Sequence, residues 1–189
     1  QVGANANQTI SATGSNFRTS NYGNSNLTVA GIVPAATSAV TASKDVTIAG
    51  SLGSAKYTTV AGDSAKTIAA GINRLTEQTG VTASARTEAN LSLVAGKTYS
   101  IAITSDNSTA RTVSFSTGAT LNSADDYSEA INAINAASSK TGVTAEYDSK
   151  LGGIKLTNAT GADIKLTSAA GSGDFTLSGY NNSGTTPAL

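Results

Sequence analysis

A stretch of twelve residues occurs twice in this chain. Ile72-Asn73-Arg74-Leu75-Thr76-Glu77-Gln78-Thr79-Gly80-Val81-Thr82-Ala83 aligns without a gap with Ile134-Asn135-Ala136-Ala137-Ser138-Ser139-Lys140-Thr141-Gly142-Val143-Thr144-Ala145. Seven of the twelve positions are identical. A repeat of this kind requires a fold containing the same local unit twice, and two copies are too few for a solenoid.

Each copy begins on a helical period. Ile68, Ile72 and Leu75 are spaced i, i+4, i+7 within 64–79, and Tyr127, Ile131 and Ile134 within 124–140. That spacing places one apolar stripe along a helix. Asp63 or Ser64 is the expected cap of the first helix and Ser123 of the second. Gly80 and Gly142 stand where a left-handed residue ends a helix.

Around the helices the period changes to two. Tyr99, Ile101 and Ile103 alternate with Ser100 and Ala102, and Val113 and Phe115 with Thr112 and Ser114. Ile154 and Leu156 flank Lys155, Ile164 and Leu166 flank Lys165, and Phe175 and Leu177 flank Thr176. Such alternation describes half-buried antiparallel strands, with Thr, Ser and Lys facing water. Expected strands flank the first helix at 45–50, 56–60, 81–87 and 90–94, and the second at 98–104, 111–117, 143–147 and 153–158. The expected fold is therefore α+β, predominantly antiparallel β, with two ββαββ units that each carry one helix. The expected division is 1–42 as a β/loop segment, 43–95 and 96–170 as the two units, and 171–189 as a terminal strand and return connector.

Composition narrows the function. The 189 residues include no Cys and no His, and twelve basic residues balance twelve acidic ones. Without Cys there is no disulfide framework or thiol nucleophile. Without His the commonest general base and transition-metal ligand are missing. Zero net charge without basic clusters argues against nucleic acid. No apolar run approaches the roughly 18 residues that cross a bilayer. The reading is of no enzyme, no cofactor, no metal, no nucleic acid and no membrane partner.

Local constellations fit this. Asp125-Asp126 reads as negative charge at a helix N-terminus rather than a metal pair. Ser64 and Lys66 are two residues apart, which puts them on different helix faces and not in a catalytic dyad. Gly152-Gly153 and Gly171-Ser172-Gly173 read as turns. N-x-S/T sequons at Asn7, Asn26, Asn90, Asn107, Asn158 and Asn181 are expected by chance in so Asn-, Ser- and Thr-rich a chain.

Two further features carry a family resemblance. Gln1-Val2-Gly3-Ala4-Asn5-Ala6-Asn7-Gln8-Thr9-Ile10 resembles the segment of bacterial flagellins where the chain leaves the helical core for the outer domains. The helix–Thr–Gly–Val–Thr–Ala repeat resembles the flagellin hook IN motif; Gly62 to Asn73 looks like one copy and Tyr127 to Asn135 like a second. The resemblance implies a structural protein, namely the outer, variable domains of a secreted flagellin on the extracellular filament surface of a motile bacterium. It implies neighbouring flagellin subunits and antibodies as partners. The long terminal helices of flagellins have no counterpart here, so the chain is expected to be monomeric and not to polymerise alone. Many flagellins carry O-linked sugars, and Thr37, Ser38, Ser105, Ser108 and Thr109 are the candidate positions in predicted loops and turns. Alternatives are the outer domain of a hook-associated or cap protein, or a carbohydrate-binding or adhesin module using Tyr22, Tyr57 or Tyr180.

Overall fold

A computed structural model describes residues 40 and 42–180 of the chain. Thr37, Ser38, Tyr22 and the segment Gln1 to Ile10 lie outside the described residues.

Among the described residues the chain forms nine strands in three antiparallel sheets. Strands β1 (Asp45–Ala49) and β2 (Ser54–Thr58) make a hairpin, with Asp45 opposite Thr58 and Ala49 opposite Ser54. A helix follows in two pieces, α1 (Ala65–Asn73) and α2 (Thr76–Thr79). Next come β3 (Thr87–Leu93), β4 (Thr98–Thr104) and β5 (Arg111–Ser116). After a short 3-10 turn at Asp125–Tyr127, the second helix runs as α3 (Ser128–Ala136) and α4 (Ser138–Thr141). The chain closes with β6 (Val143–Asp148), β7 (Gly153–Asn158), β8 (Lys165–Ser168) and β9 (Phe175–Gly179). The class is α+β, with mostly antiparallel strands, as expected.

Both helices break at the same place in the repeat. Leu75 N–H donates to Ile72 O at 2.9 Å and Ala137 N–H to Ile134 O at 3.0 Å. These three-residue bonds tighten the turn and separate each long helix from its last turn. The helix ends then follow the sequence: Gly80 and Gly142 adopt φ +73° and +71°. Ser64 caps α1 by accepting from Thr67 N–H at 3.2 Å. Ser123 plays a different part, since Asp126 reaches back to accept from its N–H and its hydroxyl at 2.9 and 3.0 Å. This is the returning half of a capping box.

The second unit has the expected strand–strand–helix–strand–strand order. The first departs from it after its helix. Residues 81–86 carry no ladder, and the expected strands at 81–87 and 90–94 are replaced by the single strand β3. No turn separates the two expected strands, so the chain runs straight on. It leaves its own hairpin and enters the sheet of the second unit, where the order is β6-β7-β3-β9. Leu91 sits opposite Ile154 on β7 and Leu177 on β9.

One core results. The sheet β5-β4-β8 presents Tyr99, Ile101, Ile103, Val113 and Phe115 to it. The four-stranded sheet contributes Ala89, Leu91, Val143, Ile154 and Leu156, and α3 fills the space with Ala130 and Ile134. Tyr99 and Phe115 stack at 5.2 Å between ring centroids. Burial of β3 against this core explains why it crosses over: Leu91 is fully buried there, and a buried Leu gains about 1.5–3 kcal/mol over an exposed one. The hairpin β1–β2 has no comparable interior. Ile48 is its one buried aliphatic residue among those described, while Leu52 and Val60 are exposed.

Candidate functional site: the repeated clasp and the joint between units

The identical positions of the repeat form one device, present twice. In the second unit the Asn135 side chain spans to the following strand. Its Nδ2 donates to Ala145 O at 2.9 Å, and its Oδ1 accepts from Ala145 N–H at 2.8 Å. In the first unit Asn73 does the same to Ala83, at 2.9 and 2.7 Å. A side-chain amide thus stands in for one rung of a ladder, tying the helix to the segment that follows it. The threonine of each copy secures the turn between them. Thr141 Oγ1 donates to Ala137 O at 3.2 Å and accepts from Val143 N–H at 3.2 Å. Thr79 bonds Leu75 O at 2.9 Å and Val81 N–H at 3.2 Å. Both threonines are buried, so their hydroxyls need these partners. Sequence reasoning recorded the two asparagines as identical but gave them no role. Their recurrence at one position, followed by the same Thr-Gly-Val-Thr-Ala, was the available signal.

A family model described as the flagellin hook IN motif matches residues 45–97 and 100–160, and the two matched segments cover more than half of the chain. The chain belongs to the flagellin hook IN motif family. Its role is accordingly structural and related to flagellin and the flagellar filament. No curated protein matches the chain.

The two hook IN units are joined through Asp106. Lys66, in the first turn of α1, donates from Nζ to Asp106 Oδ1 at 2.6 Å. Its backbone N–H donates to Gly161 O at 2.9 Å. On the far side, Asp106 accepts from Asn158 Nδ2 at 2.9 Å and Thr160 Oγ1 at 3.0 Å. Asn158 is fully buried and is the hub of the joint: its Nδ2 also donates to Ser105 Oγ at 3.0 Å, and its Oδ1 accepts from Thr160 N–H at 2.8 Å. Lys66 beside Asp106 holds the carboxyl below its ordinary value, aided by the Asn158 amide and the Thr160 hydroxyl and opposed by partial burial. Gly142 is needed here twice over, because a Cβ would run into the Asp106 carboxylate and φ is positive. Lys66 and Asp106 lie forty residues apart, and nothing in the sequence pairs them.

The remaining candidates each have a structural occupation. Asp126 accepts from the N–H groups of Asn122 and Ser123, which hold its carboxyl below the usual range. Ser64 caps a helix while Lys66 serves the joint. Asp63 accepts from Val60 N–H and Tyr57 OH, both at 2.8 Å, and is likewise lowered. The Tyr57 ring lies against Gly71, and Lys155 Nζ sits 4.6 Å above the Tyr180 ring. Both rings are half-buried. Two sequon asparagines, Asn90 and Asn158, are fully buried.

Ser108 and Thr109 are exposed on the turn between β4 and β5. Asn107 organises that turn, donating from Nδ2 to Ile103 O at 3.0 Å and Thr109 O at 2.6 Å, and accepting from Ser105 N–H. Ser105 is half-buried and shares its hydroxyl with Asn158.

Proposed function

We propose that this chain forms the outer, solvent-facing domains of a flagellin, projecting from the extracellular filament, touching neighbouring subunits and presenting an antigenic surface. The observation that carries the reading is the tandem of two hook IN matches, at 45–97 and 100–160, on units tied helix to loop by Lys66 and Asp106. A clasp that closes each helix on the segment that follows it suits a part that must hold shape under shear rather than turn over a substrate. The outward faces are largely Thr, Ser and Lys, which supports a hydrated, weakly charged surface. Ser108 and Thr109, with Ser105, Thr37 and Ser38, are the proposed positions for O-linked sugar. At micromolar concentration the chain is proposed to be monomeric and without catalytic activity.

The reading is tested by grafting residues 1–189 in place of the outer domains of a flagellin and imaging the filaments with antibodies against this chain. Continuous labelling along the filament is expected. Filaments that assemble but stay unlabelled would exclude the surface position. Sedimentation velocity of the chain with filament seeds provides a second check, with no addition to the seeds expected.

A further inference from the structure

The hairpin β1–β2 and the helix α1–α2 stand apart from the rest of the molecule. Among the described residues, β1 and β2 make a sheet of their own, and neither they nor the helix gives a side chain to the hydrophobic core, which begins at Ala89. Their packing is internal. The Tyr57 ring lies against Gly71, Val81 against Gly50, and Thr76 Oγ1 donates to Val81 O at 2.8 Å. Asn73 then binds both backbone groups of Ala83. The chain is thus held to the first unit as far as Ala83. From Thr87 onward it is held to the second, because Thr87 starts β3 and lies opposite Asn158. Ser84, Ala85 and Arg86 lie between, outside any ladder.

We propose that these three residues are a hinge on which the first unit rocks against the second, with the Lys66–Asp106 pair as its latch. Two bodies joined by a short link and a small polar interface move relative to one another by default. Hinges are short segments that absorb the change in φ and ψ. Lys66 makes two hydrogen bonds across the joint, from Nζ to Asp106 Oδ1 at 2.6 Å and from its N–H to Gly161 O at 2.9 Å. The Lys66 side chain is half-exposed, so the ion pair holds weakly and is screened by salt. A cleft of about 320 Å³ lies at the joint, with Gly62, Ser64 and Lys66 from the first unit and Thr104, Asp106 and Lys165 from the second. It leaves room for the movement. Gly161 is the pivot. It has φ +81°, and a Cβ there would press into Ala85 and the Lys66 backbone nitrogen. The missing side chain lets the hinge and the first turn of α1 rest directly on the loop after β7. The hinge does not depend on the filament reading.

The chain has no cysteine, so spin labels can be placed at chosen exposed positions. Thr47→Cys on β1 with Ser114→Cys on β5 spans the hinge, and Ser114→Cys with Thr176→Cys on β9 lies within the second unit. Distances between the labels are read by pulsed electron resonance on the full chain, at low salt and in 1 M salt. For the spanning pair, one distance is expected at low salt and a second, shifted population in 1 M salt, where the latch is screened. Lys66→Met keeps a good helix former in α1. It should show the second population already at low salt, with no further change on adding salt. Gly161→Ala should show that population too, without removing a charge. The pair within the second unit should keep its distance throughout. A single spanning distance, unchanged in both variants and in 1 M salt, would overturn the hinge. So would an equal shift of the pair within the second unit, which would place the movement inside that unit.

Discussion

Asn135 closes both backbone groups of Ala145, and Asn73 closes both of Ala83 in the same way. The two clasps differ in what surrounds them. Ala145 is buried beside Val143 in the core, whereas Ala83 lies half-exposed. A lost hydrogen bond is more harmful when water cannot replace it. Asn135→Ala should therefore destabilise the chain by about 2 kcal/mol and Asn73→Ala by less than about 1 kcal/mol. Urea unfolding of the two variants measures this; equal losses would mean that the first unit contributes as much as the second.

The two left-handed glycines should also separate. Gly80→Ala and Gly142→Ala both force a side chain to positive φ, at a cost of about 1 kcal/mol. At Gly80 the new Cβ meets the movable Ser51 hydroxyl and the Leu52 side chain. At Gly142 it meets the Asp106 carboxylate, which is held by three partners. Gly142→Ala should show the larger loss of melting temperature, together with a weakened joint, seen as faster amide exchange at Asp106.

The joint should respond to acid with a defined sign. The Asp106 carboxyl is lowered in the folded chain, so the folded state favours its charged form. Its contribution is present above the ordinary carboxylate value near 3.9 and is lost as pH falls through the lowered one. Asp106→Asn should cost about 1 kcal/mol at pH 7, the half-exposed Lys66 limiting the effect through solvent screening. The gap should close as pH falls through the lowered value and shrink in 1 M salt. A gap unchanged by pH would show that the loss does not come from the carboxylate's charge.

Tyr99 joins three segments through one hydroxyl. It accepts from Val94 N–H at 2.7 Å and lies 3.1 Å from both Val94 O and Asp174 O as donor. The ring is fully buried. Tyr99→Phe keeps the stack on Phe115 but orphans Val94 N–H, so a loss of about 1–2 kcal/mol is expected. Exchange of the Val94 amide should rise more than that of Ile101, in the middle of β4.

The sequence alone was sufficient for everything whose cause is local. Alternation marked the strands of the second unit, because each residue's side depends only on its neighbours. The i, i+4, i+7 spacing marked both helices, and Gly80 and Gly142 marked their ends, because positive φ is a property of one residue. The helix breaks after Asn73 and Ala136 were not legible, since the apolar period runs through them. Three outcomes belong to the tertiary structure alone. The strand β3 leaves its own hairpin for the sheet of the second unit, Lys66 meets Asp106, and residues 81–86, unlike their repeat counterparts in β6, pair with no described strand. In each case the same local pattern was compatible with two placements. The choice was made by burial: Leu91 and Ala89 find a closed core only beside Ile154 and Leu156, and apolar area removed from water depends on the whole assembly of sheets rather than on any one segment's period.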